Sequence, residues 1–222
     1  MTTSLIGTLL LIAAAAYWEL HLAEGAHLGS GVVVWLYDLT AHRYEAIKEF
    51  DAAFDDEFLG FPLAAALADR RQPRLLDVAA GTGRLARSLH RQVAFDGHIV
   101  ATDLSARMLQ HARREVDAQR EVRFVRHAAG RLPFATETFD AVTCLEALEF
   151  LPDARRVVAE CVRVLRPNGI LVLTNRVGGS ARWLVGKTFT RSEFRALLKS
   201  HALHNIAVQT WQVDYDLAWA RK

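Results

Sequence analysis

The 222-residue sequence holds only two cysteines, Cys144 and Cys161, and they are not spaced as C-x-x-C. A disulfide framework and a thiolate zinc site are both excluded as organising principles, and each cysteine falls in an apolar stretch that suits a buried, reduced thiol. Nine histidines are scattered without H-E-x-x-H or any other ligand spacing, so no metal site is expected. The G-x-S-x-G elbow of serine hydrolases is missing. The net charge is only +2, with no run of Lys and Arg able to track a phosphate backbone, so no nucleic-acid partner is expected. Internal repeats and low-complexity segments are absent as well.

What the chain has in excess is apolar residues, 51% of the total. They suffice for one globular domain with a sizeable core plus an appendage. Met1 to Trp18 carries no charged side chain. Eighteen residues at 1.5 Å rise span about 27 Å, just short of a hydrocarbon core. A signal peptide would need a basic start, which Met1-Thr2-Thr3-Ser4 lacks. A buried or interfacial helix and a membrane anchor stay open, the anchor placing Tyr17 and Trp18 at the aromatic belt. A second apolar run, Val32 to Tyr37, follows the break at Gly29 to Gly31 and is too short to span. Asp38 to Asp69 reads as helical, with Ile47, Phe50, Phe54 and Phe58 on one face. Arg70 to Pro73 ends that pattern.

The stretch Arg74 to Leu85, RLLDVAAGTGRL, is the organising element. Leu75 to Val78 is a short strand containing Asp77; Ala79, Ala80, Gly81, Thr82 and Gly83 form a turn of small residues; a helix begins at Arg84. Such a turn brings backbone N–H groups and a positive helix end close to a ligand. Asp103 follows Gly83 by twenty residues, at the end of the strand Gly97 to Thr102. In an open α/β sheet, acids at neighbouring strand ends meet in the ligand crevice, and one there can hold both hydroxyls of a ribose. Two readings fit. GTGRLA satisfies the loose dinucleotide pattern G-x-G-x-x-[GA] of an NAD-dependent oxidoreductase. Asp77, however, would repel a pyrophosphate and suits a ligand with a cationic or amino centre.

Beyond Asp103 the pattern alternates. Helices are expected over Leu104–Gln119, Asp153–Leu165 and Arg191–Ser200. Strands are expected over Val122–Arg126, Phe139–Leu145, Ile170–Asn175, Ile206–Trp211 and Tyr215–Ala220. Alternation of β and α predicts a doubly wound, mostly parallel sheet. The last two strands, separated by a short turn, predict a C-terminal antiparallel hairpin at one edge.

DVAAGTG resembles the D-x-G-x-G-x-G motif of class I S-adenosylmethionine-dependent methyltransferases, with Ala79 in place of the first Gly. ATDLSARML resembles their D-x-S-x-x-M-L. RHAAGRLPFATETFD resembles the G-D-A-x-x-L-P-F-x-x-x-x-F-D of the type 11 methyltransferase family through Leu132, Pro133, Phe134, Phe139 and Asp140. Arg163 to Gly169, RVLRPNG, resembles R-V-L-[KR]-P-G-G, with Asn168 in place of a Gly. The resemblance runs from about Tyr37 to Lys222. It implies a Rossmann-like α/β fold, with a helical lid over 31–73 and a cofactor domain over 74–222; the apolar run adds an N-terminal helix over 1–30, a candidate membrane anchor.

It also implies S-adenosylmethionine as cofactor. Asp77 would sit near the methionine amino group, and Ala79 to Gly83 against the cofactor. Asp103 would hold the ribose, and Leu104, Met108, Ala128 and Ala129 the adenine, with Leu145 at the fourth strand's end. The family's adenine-binding acid falls on Ala128, which loses one hydrogen bond worth about a kcal/mol or two. Catalytic residues are not specified. Tyr37 and Tyr44 are expected to face the pocket. Glu146 is a candidate base or orienting acid, Tyr44 a second candidate, and Glu149 a solvated helix residue. The Glu146–Glu149 pair resembles acids that share a metal with a His in quinone O-methyltransferases, but Phe150 stands at the His position. The expected acceptor is a small apolar, lipid- or quinone-like molecule, methylated by a cytoplasmic domain tethered through residues 1–18. An oxidoreductase and a cofactor-binding protein without catalysis are the alternatives.

Overall fold

A computed structural model describes residues 2–48, 50–116 and 122–222. Seven strands form one sheet in the order β3-β2-β1-β4-β5-β7-β6. They are β1 (Arg74–Val78), β2 (His98–Asp103), β3 (Val122–Arg126), β4 (Phe139–Cys144), β5 (Leu165–Arg176), β6 (His204–Trp211) and β7 (Tyr215–Arg221). The first five are parallel; β7 runs antiparallel between β5 and β6, as the expected hairpin. Every residue of β4 is buried, which is the mark of a central strand covered on both faces. Strand order reverses between β1 and β4, and ligands bind open α/β sheets at the carboxyl ends on either side of such a reversal.

Helices α1 (Thr2–Tyr17), α2 (Ser30–Thr40), α3 (Tyr44–Lys48), α4 (Ala52–Asp55) and α5 (Phe61–Ala66) precede the sheet. Then α6 (Arg84–Arg91), α7 (Ala106–Glu115), α8 (Ala154–Val164), α9 (Gly178–Ala181) and α10 (Arg191–Ser200) follow. Polar side chains fix their starts. Ser105 accepts from Met108 N, Asp153 accepts from Arg156 N, and Thr190 and Glu193 close a capping box. Cys144 and Cys161 are buried free thiols in the core.

Three expectations change. The single helix over Asp38–Asp69 is a chain of short pieces. Asp51 restarts it by capping Ala53 N at 2.8 Å, a π-helical turn occupies Asp56–Gly60, and Pro62 sits in the first turn of α5, where its missing N–H costs nothing. The breaks bend the segment around the sheet: Gly60 lies so close to α6 that a Cβ there would stand 2.3 Å from Ser88 Oγ. Second, β5 begins at Leu165, not Ile170. Its register against β4 shifts between Phe139–Leu165 and Ala141–Ile170, looping out the Pro167-Asn168-Gly169 turn. Asn168 holds φ +60 there, and Asn168 N donates to Lys222 O at 2.7 Å. Third, the described part of α7 ends at Glu115; the expected end at Gln119, like Met1 of the apolar segment, lies outside the described residues.

The α1 helix stands apart from the sheet. Its apolar side chains face outward, Leu11 being 73% exposed. The stretch Leu5–Leu22 has mean hydropathy 1.6 and is almost entirely uncovered. The chain then docks: Glu19 is buried and accepts from His27 N at 2.8 Å, His27 Nε2 meets Val185 O at 3.0 Å, and the Trp18 ring stacks on His27.

Candidate active site

The turn after β1 is shaped by backbone conformations that side chains resist. Ala79, Gly81 and Gly83 have φ of +56, +53 and +79. A Cβ at Gly81 would meet nothing, so its backbone borders open space. Gly83 does a different job from the one expected. It opens α6, and its α-carbon faces Ala112 and Val116 of the α7 end, where a Cβ would stand 3.2 and 3.1 Å from their side chains. It therefore sets helix packing and does not line the cavity. Ala79 bears the left-handed strain that the family's glycine would avoid.

Asp103 is anchored from both sides: Gly81 N donates to Oδ2 at 2.9 Å and Ser105 N to Oδ1 at 2.8 Å. Burial raises its carboxyl, against those bonds. Asp77 is more deeply buried and accepts from Thr143 Oγ1 at 2.7 Å. Burial, reinforced by the charge of Asp103, pushes its carboxyl up to about 7.

These groups border one cavity of about 450 Å³. Of the expected cofactor residues, Asp77, Ala79 to Thr82, Asp103, Leu104, Met108, Ala128, Ala129 and Leu145 line it; Gly83 does not. Tyr37, Tyr44 and Glu146 also line it. The opposite wall is apolar and comes from outside the sheet: Val33, Val34 and Tyr37 of α2, with Tyr44 and Phe50. Asp38 holds that wall down by accepting from the Ser105 hydroxyl, one residue beyond Leu104.

Sequence reasoning missed Arg84. Its guanidinium is buried, donating from Nε to Asp55 Oδ2 at 2.6 Å and from Nη1 to Glu146 Oε1 at 2.5 Å. The Phe50 ring lies 4.0 Å and the Trp211 ring 5.0 Å from its Cζ. A signal was present: a cation in the first turn opposes the helix dipole, so it needs partners elsewhere. Glu146 is therefore a paired acid. It sits at φ +49, with its N–H bonded to Thr174 Oγ1. Tyr44 makes no hydrogen bond through its hydroxyl to any described residue, and burial, with Glu146 adding to it, keeps that hydroxyl protonated.

Glu149 is not solvated. It is 1% exposed, because the 3-10 turn Leu148–Phe150 carries it inward beneath β7. Tyr215 OH donates to its Oε1 at 2.7 Å, and burial raises its carboxyl. Glu24 ties the N-terminal segment to this region, accepting from Arg176 Nη1 at 3.1 Å and Tyr37 OH at 3.3 Å.

The chain's comparisons with known proteins agree with this geometry. Residues 76–173 match the model of a family described as a methyltransferase domain. A demethylmenaquinone methyltransferase of Clavibacter sepedonicus is 33% identical over 143 residues, 64% of this chain and 57% of that one. One from Symbiobacterium thermophilum is 34% identical over 60% of this chain and 55% of that one. The chain thus spans a little over half the length of these relatives. Among solved structures, an S-adenosylmethionine-dependent methyltransferase from Aquifex aeolicus superposes with a TM-score of 0.57 at 18% identity, over 78% of this chain and 98% of that one. The [4+2]-cyclase SpnF superposes with a TM-score of 0.69 at 19% identity, over 87% and 96%. That cyclase shows that the fold alone does not set the chemistry. Motif, sheet order and the match over residues 76–173 agree in likening that part of the chain to a methyltransferase domain.

Proposed function

We propose that this chain binds S-adenosylmethionine and transfers its methyl group to a small, apolar, ring-bearing acceptor of the quinone class. The observation that carries the reading is that one cavity joins two unlike walls. One wall presents Asp77, Asp103 and the strained turn; the other presents Tyr37, Tyr44 and Phe50. The first wall suits the cofactor on its own chemistry. Thr82 Oγ1 is buried there without a partner among the described residues, Gly81 leaves backbone open, and Asp77 is an acid awaiting a cation.

When bound, S-adenosylmethionine supplies an already activated methyl group, and the protein's part is alignment and exclusion of water. Asp77 holds the amino end, Asp103 the ribose, and Leu104, Met108, Ala128 and Ala129 the adenine. At the acceptor end, Tyr44 OH is a neutral donor for an acceptor oxygen. Glu146, held by Arg84, orients the ring and takes the proton that the acceptor releases. The names of the curated relatives support a quinone-type acceptor. The exposed apolar α1 supports tethering of residues 1–18 to a membrane, so the full-length chain is expected in the pellet when detergent-free lysate is ultracentrifuged.

Calorimetric titration with S-adenosylmethionine and S-adenosylhomocysteine tests the reading. Saturable binding that Asp103→Ala abolishes supports it, and transfer to a demethylated quinone then tests the acceptor class. A folded protein that binds neither ligand but binds NADH would replace it.

A further inference from the structure

We propose that α2 is the contact between the cavity and a lipid bilayer, so that the acceptor enters sideways from the membrane, along α2, without crossing water. The inference rests on the apolar-acceptor reading above. It begins from a helix whose exposed face carries no charge. Over Ser30–Thr40 the one charged side chain is Asp38, and it is turned inward to Ser105 and to Arg107 N. A helix lying on a water-soluble domain normally shows charges outward. Here the outward positions are Trp35, 56% exposed, and Leu39, 48% exposed, and Leu28 just before the helix is 53% exposed.

The same helix is a cavity wall. Val33, Val34 and Tyr37 on its inner side line the space next to the turn, while Trp35 and Leu39 do not. One helix thickness therefore separates the acceptor site from the exposed apolar side chains. The chain between α1 and α2 packs onto α2: Gly25 lies under Leu36 and Val32, where a Cβ would stand 3.0 and 3.2 Å from their methyl groups. A helix whose outer side chains are uncharged, with a Trp among them, preceded in the chain by a helix without charged side chains, fits the interfacial zone of a bilayer. Glu24, bonded to both Tyr37 and Arg176, keeps this N-terminal unit in register with the domain.

The test uses the full chain reconstituted into vesicles of phosphatidylcholine and phosphatidylglycerol brominated near the headgroup. Tryptophan emission should be quenched, and Trp35→Phe should lose part of the quenchable emission. Equal quenching in the two proteins overturns the proposal. So does absence of quenching in a chain that instead sediments as a dimer, which would make the surface a contact between copies. The double variant Trp35→Glu and Leu39→Glu supplies the functional arm. It should bind S-adenosylhomocysteine as wild type does and still pellet with vesicles through α1. It should lose about tenfold or more in transfer to a long-chain quinone in the bilayer, the scale expected for two charges placed against lipid, while keeping transfer to a short-chain soluble analogue. Equal loss on both acceptors overturns lateral entry. If no acceptor is methylated by any form, the functional reading fails while the quenching result still decides the surface.

Discussion

Replacing Asp77 with Asn should change how stability depends on pH. Asp77 is buried at the end of β1, and its carboxyl lies at about 7 in the folded chain, against 3.8 for an ordinary one. Between those values the folded protein keeps a proton that the unfolded chain has released. Stability contributed by this group must therefore fall as pH rises across that window, and stay lost above it. At 1.36 kcal/mol per tenfold step the full loss is about 4 kcal/mol. Asn does not titrate, and its amide oxygen can still accept from Thr143 Oγ1. Urea unfolding followed by tryptophan fluorescence, at intervals from pH 4 to pH 8, gives both curves, and their difference cancels the carboxylates common to both. The variant should gain about 4 kcal/mol on the wild type across the range. A difference that stays flat to within about 1 kcal/mol would refute a neutral Asp77 in the ligand-free protein used for the titration. A cationic ligand reverses the preference, because it selects the ionised form. S-adenosylhomocysteine affinity should therefore rise about tenfold per pH unit below 7 and level off above it. At pH 7, calorimetry in two buffers of different ionisation enthalpy should show release of about half a proton.

The other predictions concern single side chains. Ala79→Gly relieves a left-handed alanine and should raise stability by about 1 kcal/mol in urea unfolding, with cofactor binding kept or improved. Arg84→Met leaves Asp55 and Glu146 buried without their cation and should cost about 3–5 kcal/mol, read as a lowered urea midpoint. Tyr44→Phe removes a hydroxyl that bonds no described residue, so stability should hold within about 0.5 kcal/mol, while the specificity constant for the acceptor falls by the worth of one hydrogen bond, about fivefold to tenfold.

The sheet was legible because its signals are local and repeated. Leu75–Val78, His98–Thr102 and Phe139–Cys144 are short apolar runs, each followed by an acid or small residues and then by a helix, the alternation that builds a parallel α/β sheet. The cavity lining expected for a cofactor was legible for the same reason, since its residues sit at or just beyond the carboxyl ends of β1, β2, β3 and β4, with Met108 in the first turn of α7. On the acceptor wall Tyr37, Tyr44 and Glu146 were expected and line the cavity, but Phe50 and Arg84 were not. Phe50 and Arg84 are 34 positions apart and meet only because the segment before the sheet breaks at Asp51 and Gly60 and bends back over α6. Glu149 was misread because a helical period was extended through Leu148–Phe150, where the chain makes a single tight turn. Both failures come from tertiary contacts that no local period encodes.

The two walls also differ in how they handle charge, and that difference fits the proposed division of labour. At the cofactor wall burial and the charge of Asp103 raise the Asp77 carboxyl, and among the described residues no basic side chain is hydrogen-bonded to either acid, so Asp77 keeps a proton that a cationic ligand would displace. At the acceptor wall Glu146 is ion-paired with Arg84, which it shares with Asp55, and the phenol of Tyr44 stays protonated beside it. A positively charged ligand gains more at the first wall and a neutral ring loses less at the second. On the proposed reading one cavity sorts two partners of opposite polarity: buried carboxylates draw the cation, and the cavity side of α2, presenting Val33, Val34 and Tyr37, is a wall where an apolar molecule displaces only weakly held water.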